Sequence, residues 1–263
     1  MEESGHGLVP AVARAGAILE LAAGAGRPLS MTEIAERLGI PKSSTLAICR
    51  TLVAARLMER DPATGAYRLG PQVLMLSHAY LRGMDLAGEF LRLVERAPEL
   101  RDETVQLAVP DGTSVVYVAR RDGTSVAGFP RLGCDVGLRL PASCTAVGRA
   151  MLACRADAEV RRLYADGEAL PRLTARSPRS VAALLDEVAL VRRRGYAIDD
   201  EAVMEGIACV GFAVVGAPPR RPAAAVSVVL LRARLNGDTE RRLAGAVGAI
   251  AGRLSQLLGS EHG

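Results

Sequence analysis

The chain has 263 residues, 33 of them Lys or Arg and 29 Asp or Glu, giving a formal net charge of +4; 49% of residues are apolar and 24% charged. That length exceeds one typical domain and that balance excludes a disordered chain, so two packed units are expected. The charge is too small to announce nucleic acid by itself, and the five cysteines (Cys49, Cys134, Cys144, Cys154, Cys209) form no C-x-x-C pair, which excludes a disulfide framework and a zinc ribbon.

The start, Met1-Glu2-Glu3-Ser4-Gly5, has no basic segment leading into an apolar one. The longest apolar stretch, about Gly206 to Ala217, is shorter than the roughly 20 residues that cross a bilayer. A cytoplasmic protein with no membrane partner is expected. Val9, Val12, Ile18 and Leu19 follow helical spacing and predict a first helix over Val9 to Leu21, ended by Gly24-Ala25-Gly26. Ser30-Met31-Thr32-Glu33 has the pattern of a capping box for a short second helix whose apolar side is Ile34, Ala35 and Leu38, stopped at Gly39. Pro41 introduces a third helix over Lys42 to Val53. Its expected inward stripe is Leu46, Cys49, Leu52 and Val53, leaving Lys42, Ser43, Ser44, Ala47, Arg50 and Thr51 outward. Leu57 to Arg60 and Ala66 to Leu69 read as two short strands about the Asp61-Pro62-Ala63-Thr64-Gly65 turn.

A short capped helix, a glycine turn and a helix opening with hydroxyl and basic residues make a helix-turn-helix, and the hairpin after it makes a wing. Arg37, Lys42, Arg50, Arg56 and Arg60 share a stretch whose only acid is Glu59, a local basic patch suited to phosphates. The candidate DNA contacts are Lys42, Ser43, Ser44, Thr45, Ala47, Arg50 and Thr51 on the helix, with Arg60 and Arg68 on the wing. The plainer reading of the same pattern is a small three-helix interaction module that touches no DNA.

Pro71 opens a helical connector to Arg82, and a further helix is expected from Leu86 to about Leu100. The period then changes. Thr104–Val109 and Ser114–Ala119 are strand-like about Pro110-Asp111-Gly112-Thr113, a hairpin signal. More strands are expected at Val136–Leu140, Tyr196–Asp199, Cys209–Val215 and Ala223–Leu230. Helices are expected at Thr145–Ala153, Ala158–Tyr164, Val181–Arg194 and Thr239–Leu258. Hairpins among long helices predict an α+β domain with a mostly antiparallel sheet.

Four separated segments carry a family resemblance: Glu103 to Leu107 with Asp111-Gly112 and Val115 to Val118; Leu140 to Ala150; Gly195 to Glu201; and Gly206 to Cys209. In this order they resemble the IclR family of bacterial regulators over nearly the whole chain. The resemblance implies a winged helix-turn-helix in residues 1–70, a linker helix in 71–83 and a GAF-like effector domain in 84–263. It also implies a double-stranded, palindromic operator, a small organic effector, and assembly as a homodimer or homotetramer. The effector site it implies comprises Ser143, Cys144, Thr145, Gly148, Asp199, Cys209 and Ser227, polar groups in an otherwise apolar pocket. A second serine that relatives often carry two residues after Ser227 is Val229 here, which implies a more apolar effector than a short oxo-acid. Many relatives also have an arginine at the position of Ala47; Arg50, one turn on, is the candidate to replace it.

Catalysis is the rival from another class, because Cys144 precedes a helix. The histidines, His6, His78 and His262, lie far along the chain from it, so no Cys-His pair is expected, nor any metal or cofactor. Two further alternatives are a redox-responsive regulator acting through Cys144 or Cys209, and a ligand-binding protein that does not bind DNA.

Overall fold

A computed structural model of the chain describes residues 9–82, 86–124, 135–164, 170–216 and 222–260. Cys134, His6 and His262 lie outside the described residues. The chain divides into two compact units, Met1–Met84 and Asp85–Gly263.

The first unit runs α1 (Pro10–Gly24), α2 (Met31–Leu38), α3 (Lys42–Ala54), β1 (Met58–Arg60), β2 (Tyr67–Leu69) and α4 (Pro71–Arg82). Ser30 caps α2 by accepting the Glu33 N–H at 3.2 Å, but the expected reciprocal bond gives way to an ion pair, because Arg27 takes the Glu33 carboxylate at 2.5 Å. Gly39 ends α2 in the left-handed conformation, φ 63°, which returns the Ile40 N–H to the Ala35 carbonyl. The strands β1 and β2 pair antiparallel, and Leu29 exchanges backbone bonds of 2.8 and 2.7 Å with Tyr67, tying the α1–α2 connection to the wing. Ile18, Leu29, Ile34, Cys49, Leu52, Met58 and Tyr67 form the core of the unit. Full burial of each large aliphatic side chain stabilises by about 1.5–3 kcal/mol, so this small unit rests on its interlocked apolar contacts.

The second unit begins with α5 (Leu86–Glu95), which stops short of the expected Leu100. Pro98 holds Ala97 out of helical geometry, φ −105° and ψ 89°, and a 3-10 turn Pro98–Leu100 follows. The remaining order is β3 (Thr104–Asp111), β4 (Ser114–Arg121), β5 (Arg139–Pro141), α6 (Ala146–Ala153), α7 (Asp157–Leu163), α8 (Val181–Arg194), β6 (Ala197–Asp200), β7 (Ile207–Val215), β8 (Pro222–Leu231) and α9 (Gly237–Ser260). Strand β5 is shorter than expected because Val136 and Gly137 form a turn before it. The six strands form one antiparallel sheet in the order β5-β4-β3-β8-β7-β6. Architecture and class are α+β, as expected.

Directly paired residues share a face of an antiparallel sheet, so the register defines rows. One row is Asp199, Cys209, Val229 and Thr104; the next is Ala197, Gly211, Ser227 and Gln106. Helix α6 packs on this face: a Cβ at Gly211 would lie 3.0 Å from the Ala146 backbone. Helix α9 covers the opposite face, with Gly248 against the ring of Phe212. Thr145 caps α6 by accepting the Gly148 N–H at 3.0 Å, and residues 146–152 are all buried.

Candidate nucleic-acid interface and ligand cavity

On α3 the exposed positions are Lys42, Ser43, Ala47, Arg50, Thr51 and Ala54, with Ser44 half-buried. Thr45 is fully buried, and its hydroxyl donates to the Ile40 and Pro41 carbonyls at 3.4 and 3.2 Å. This places Thr45, expected among the candidate DNA contacts, inside the unit: the hydroxyl finds backbone partners in the preceding turn, which lets a polar residue occupy the inward stripe. The stripe is therefore Thr45, Cys49 and Leu52, and Leu46 is only half-buried. The Thr51 hydroxyl donates to the Ala47 carbonyl at 3.0 Å. On the wing, Arg60 donates to the Gly65 carbonyl at 3.3 Å and Arg68 pairs with Glu59 at 2.8 Å. Both Arg68 and Glu59 are solvent-exposed, so the pair is weak enough for a phosphate to compete with it. Lys42 and Arg50 have no ion-pair partner among the described residues.

In the second unit a cavity of about 230 Å³ opens against the α6 face of the sheet. Asp199, Cys209 and Val229 form its floor from one cross-strand row and Ser227 adds the next; Thr145 and Ala146 close it from the start of α6. Tyr117, Leu138, Leu140, Leu173, Met204 and Ile207 are among its walls. A groove beside α5 and α9 is larger, about 640 Å³, but it is open to solvent, with exposed Arg96, Glu99, Arg241 and Arg242 beside Leu93, Ala246 and Ile250. The smaller cavity is the one that contains a buried acid.

Asp199 is 1% exposed. One of its oxygens accepts the Ala202 N–H at 2.7 Å and lies 3.7 Å from the Arg149 guanidinium. Burial pushes the carboxyl up to about 6, against the pull of Arg149 and the backbone donors. Arg149 compensates incompletely because it is nearer to Glu187, at 3.0 Å, and also donates to the Cys144 carbonyl at 2.8 Å.

Two family models match: the description "Bacterial transcriptional regulator IclR C-terminal" covers residues 78–256, and "IclR helix-turn-helix domain" covers residues 11–62. The chain belongs to the IclR family of bacterial transcriptional regulators. It is 32% identical to a glycerol operon regulatory protein of Streptomyces coelicolor, over 96% of this chain and 97% of that protein. An IclR transcriptional regulator from Alicyclobacillus acidocaldarius has the same fold, with a TM-score of 0.83 and 25% identity over 96% of this chain and all of that one. An IclR homolog from Microbacterium hydrocarbonoxydans, solved in complex with 4-hydroxybenzoate, aligns with a TM-score of 0.75 and 22% identity over 94% of this chain and 99% of that one.

Of the effector residues expected from the IclR resemblance, Thr145, Asp199, Cys209 and Ser227 meet at the cavity. Ser143, Cys144 and Gly148 do not line it. Cys144 is fully buried with its thiol donating to the Pro171 carbonyl at 3.4 Å, 3.8 Å from the Ser143 hydroxyl. Gly148 has a packing role: a Cβ there would lie 2.2 Å from the Ala142 carbonyl oxygen. Burial also withholds Cys144 from the exposure that a reactive thiol requires. Cys154, by contrast, is exposed. Sequence reasoning missed Arg149, although a lone charge within the apolar run Ala146–Ala153 was the available signal.

Proposed function

We propose that this chain is a sequence-specific DNA-binding regulator whose operator affinity is set by a small organic effector held in the cavity beneath α6. The observation that carries the reading is the largely apolar cavity with its buried acid, in a chain that also presents an exposed basic helix face in a separate unit. An IclR homolog of the same fold forms a complex with 4-hydroxybenzoate, which supports an effector of small organic type. In this reading Ser43, Ser44 and Arg50 meet base edges or phosphates in the major groove, and Lys42, Arg60 and Arg68 hold the backbone. The chain acts as a homodimer or homotetramer, so that paired α3 helices read a palindromic site with half-sites about 10 base pairs, or a multiple, apart. Helix α4 carries the effector signal between the units.

The test is footprinting of the purified protein on the intergenic DNA beside its own gene. Protection of two symmetric half-sites is expected, and absence of protection at low salt would refute the regulator reading.

A further inference from the structure

Among the described residues, four helices are followed by a residue in the left-handed conformation, and three of the four use glycine. Gly26 follows α1 at φ 63°, Gly39 follows α2 at φ 63° and Gly195 follows α8 at φ 89°. After α3 the same place is taken by Arg56, at φ 60°. The hydrogen bonds are those of a Schellman turn: the Arg56 N–H donates to the Val53 carbonyl and the Leu57 N–H to the Leu52 carbonyl, both at 2.9 Å. Glycine adopts this geometry without steric cost, whereas a residue with a Cβ is strained in it. The turn itself therefore gains nothing from an arginine, and the strain points to a use for the side chain.

The backbone of Arg56 is clamped where α4 begins. Its carbonyl accepts the Gln72 N–H at 3.1 Å, and a Cβ at Gly70 would lie 2.3 Å from the same oxygen, so the chain leaving the wing packs directly against it. Arg56 is exposed, and its guanidinium has no ion pair or hydrogen bond among the described residues. It lines a groove of about 630 Å³ together with Arg60 and Arg68 of the wing. The carboxylates among the described lining residues are engaged locally. Glu59 pairs with Arg68 at 2.8 Å, and Asp61 accepts the Ala63 and Thr64 N–H groups at 2.8 and 3.3 Å. Arg56 is thus an uncommitted cation on a fixed backbone, beside two wing arginines, and a guanidinium can grip a phosphate through two parallel hydrogen bonds. We propose that Arg56 binds a phosphate of the DNA backbone, anchoring the exit end of α3 as Arg60 and Arg68 anchor the wing. This rests on the chain binding DNA through α3 and the wing.

The experiment measures, by fluorescence anisotropy, the affinity of the full-length protein for the intergenic DNA beside its own gene and for a mixed-sequence duplex of equal length. Salt is varied from about 50 to 200 mM NaCl. Arg56→Gly and Arg56→Asn remove the charge while suiting the left-handed backbone, and Arg56→Lys keeps the charge. Both uncharged variants are expected to bind both duplexes about tenfold more weakly at low salt. Their plots of log affinity against log salt should be shallower by about one per protomer, and Arg56→Lys should keep the wild-type slope. Arg56→Gly should melt no lower than wild type, since it relieves the strained turn; a lower melting temperature would assign the side chain to the fold and overturn the proposal. Wild-type affinity and slope in the uncharged variants overturn it too, as does weaker binding at an unchanged slope, which would make Arg56 a residue that only places α3. Failure of the underlying reading looks different: wild type itself would bind neither duplex.

Discussion

Asp199 binds more protons in the folded protein than in the unfolded chain, because burial pushes its carboxyl from the usual value near 3.8 up to about 6. Between those values the native state holds the extra proton, so this group's contribution to stability falls as pH rises from about 4 to 6 and is level above. Asp199→Asn removes that dependence. Urea melts of both proteins should show the variant gaining on wild type by about 2 kcal/mol between pH 4 and pH 7.5; a difference independent of pH would show that burial does not govern this carboxyl. Arg50 is the corresponding residue on the DNA side, exposed on α3 one turn beyond Ala47. If it reads a base, Arg50→Ala should weaken operator binding by about 1–3 kcal/mol while leaving non-specific DNA less affected, as competitive gel shifts would measure. Asp199, Cys209 and Ser227 were legible as site residues through the IclR resemblance, and their place as polar groups in apolar strands is consistent with it. The aliphatic walls were not, because Leu138, Leu173 and Ile207 look like ordinary core until the fold brings distant segments together.

Helix α6 is the element on which the cavity depends. Its first residues close the site, and its position against the chain at Ala142 is fixed by the absence of a side chain at Gly148. A methyl there would meet backbone rather than a movable side chain, so α6 has to shift. Gly148→Ala should destabilise the second unit by about 3 kcal/mol or more and weaken any cavity ligand, even though residue 148 touches none; thermal melts with and without ligand would separate the two effects. The resemblance placed Gly148 in the site because the motif from Leu140 to Ala150 spans two jobs, capping by Thr145 and close packing by Gly148, which a linear reading does not separate. The same limit explains α3. Its length and polarity were legible from Pro41 onward, but Thr45 takes the inward position by bonding the Ile40 and Pro41 carbonyls. A hydroxyl counted as polar from sequence becomes an internal staple once the preceding turn is in place.

At the level of the whole molecule, an effector can change operator affinity only by the ratio of its affinities for the two arrangements it distinguishes. Linkage makes the effect reciprocal: the factor by which the effector alters DNA affinity equals the factor by which operator DNA alters effector affinity. The two-unit division, with α4 grouped with the DNA-binding unit, makes α4 the element to perturb. Inserting four residues after Arg82 would lengthen the connection and should leave each binding event intact while bringing both coupling factors towards one. Titrating effector in the presence and absence of operator, and operator in the presence and absence of effector, measures the two factors independently. Unequal factors would mean that a further equilibrium, such as a change of oligomeric state with concentration, has entered one titration and not the other. Equal factors that persist after the insertion would remove α4 from the coupling and leave contacts between protomers to carry it.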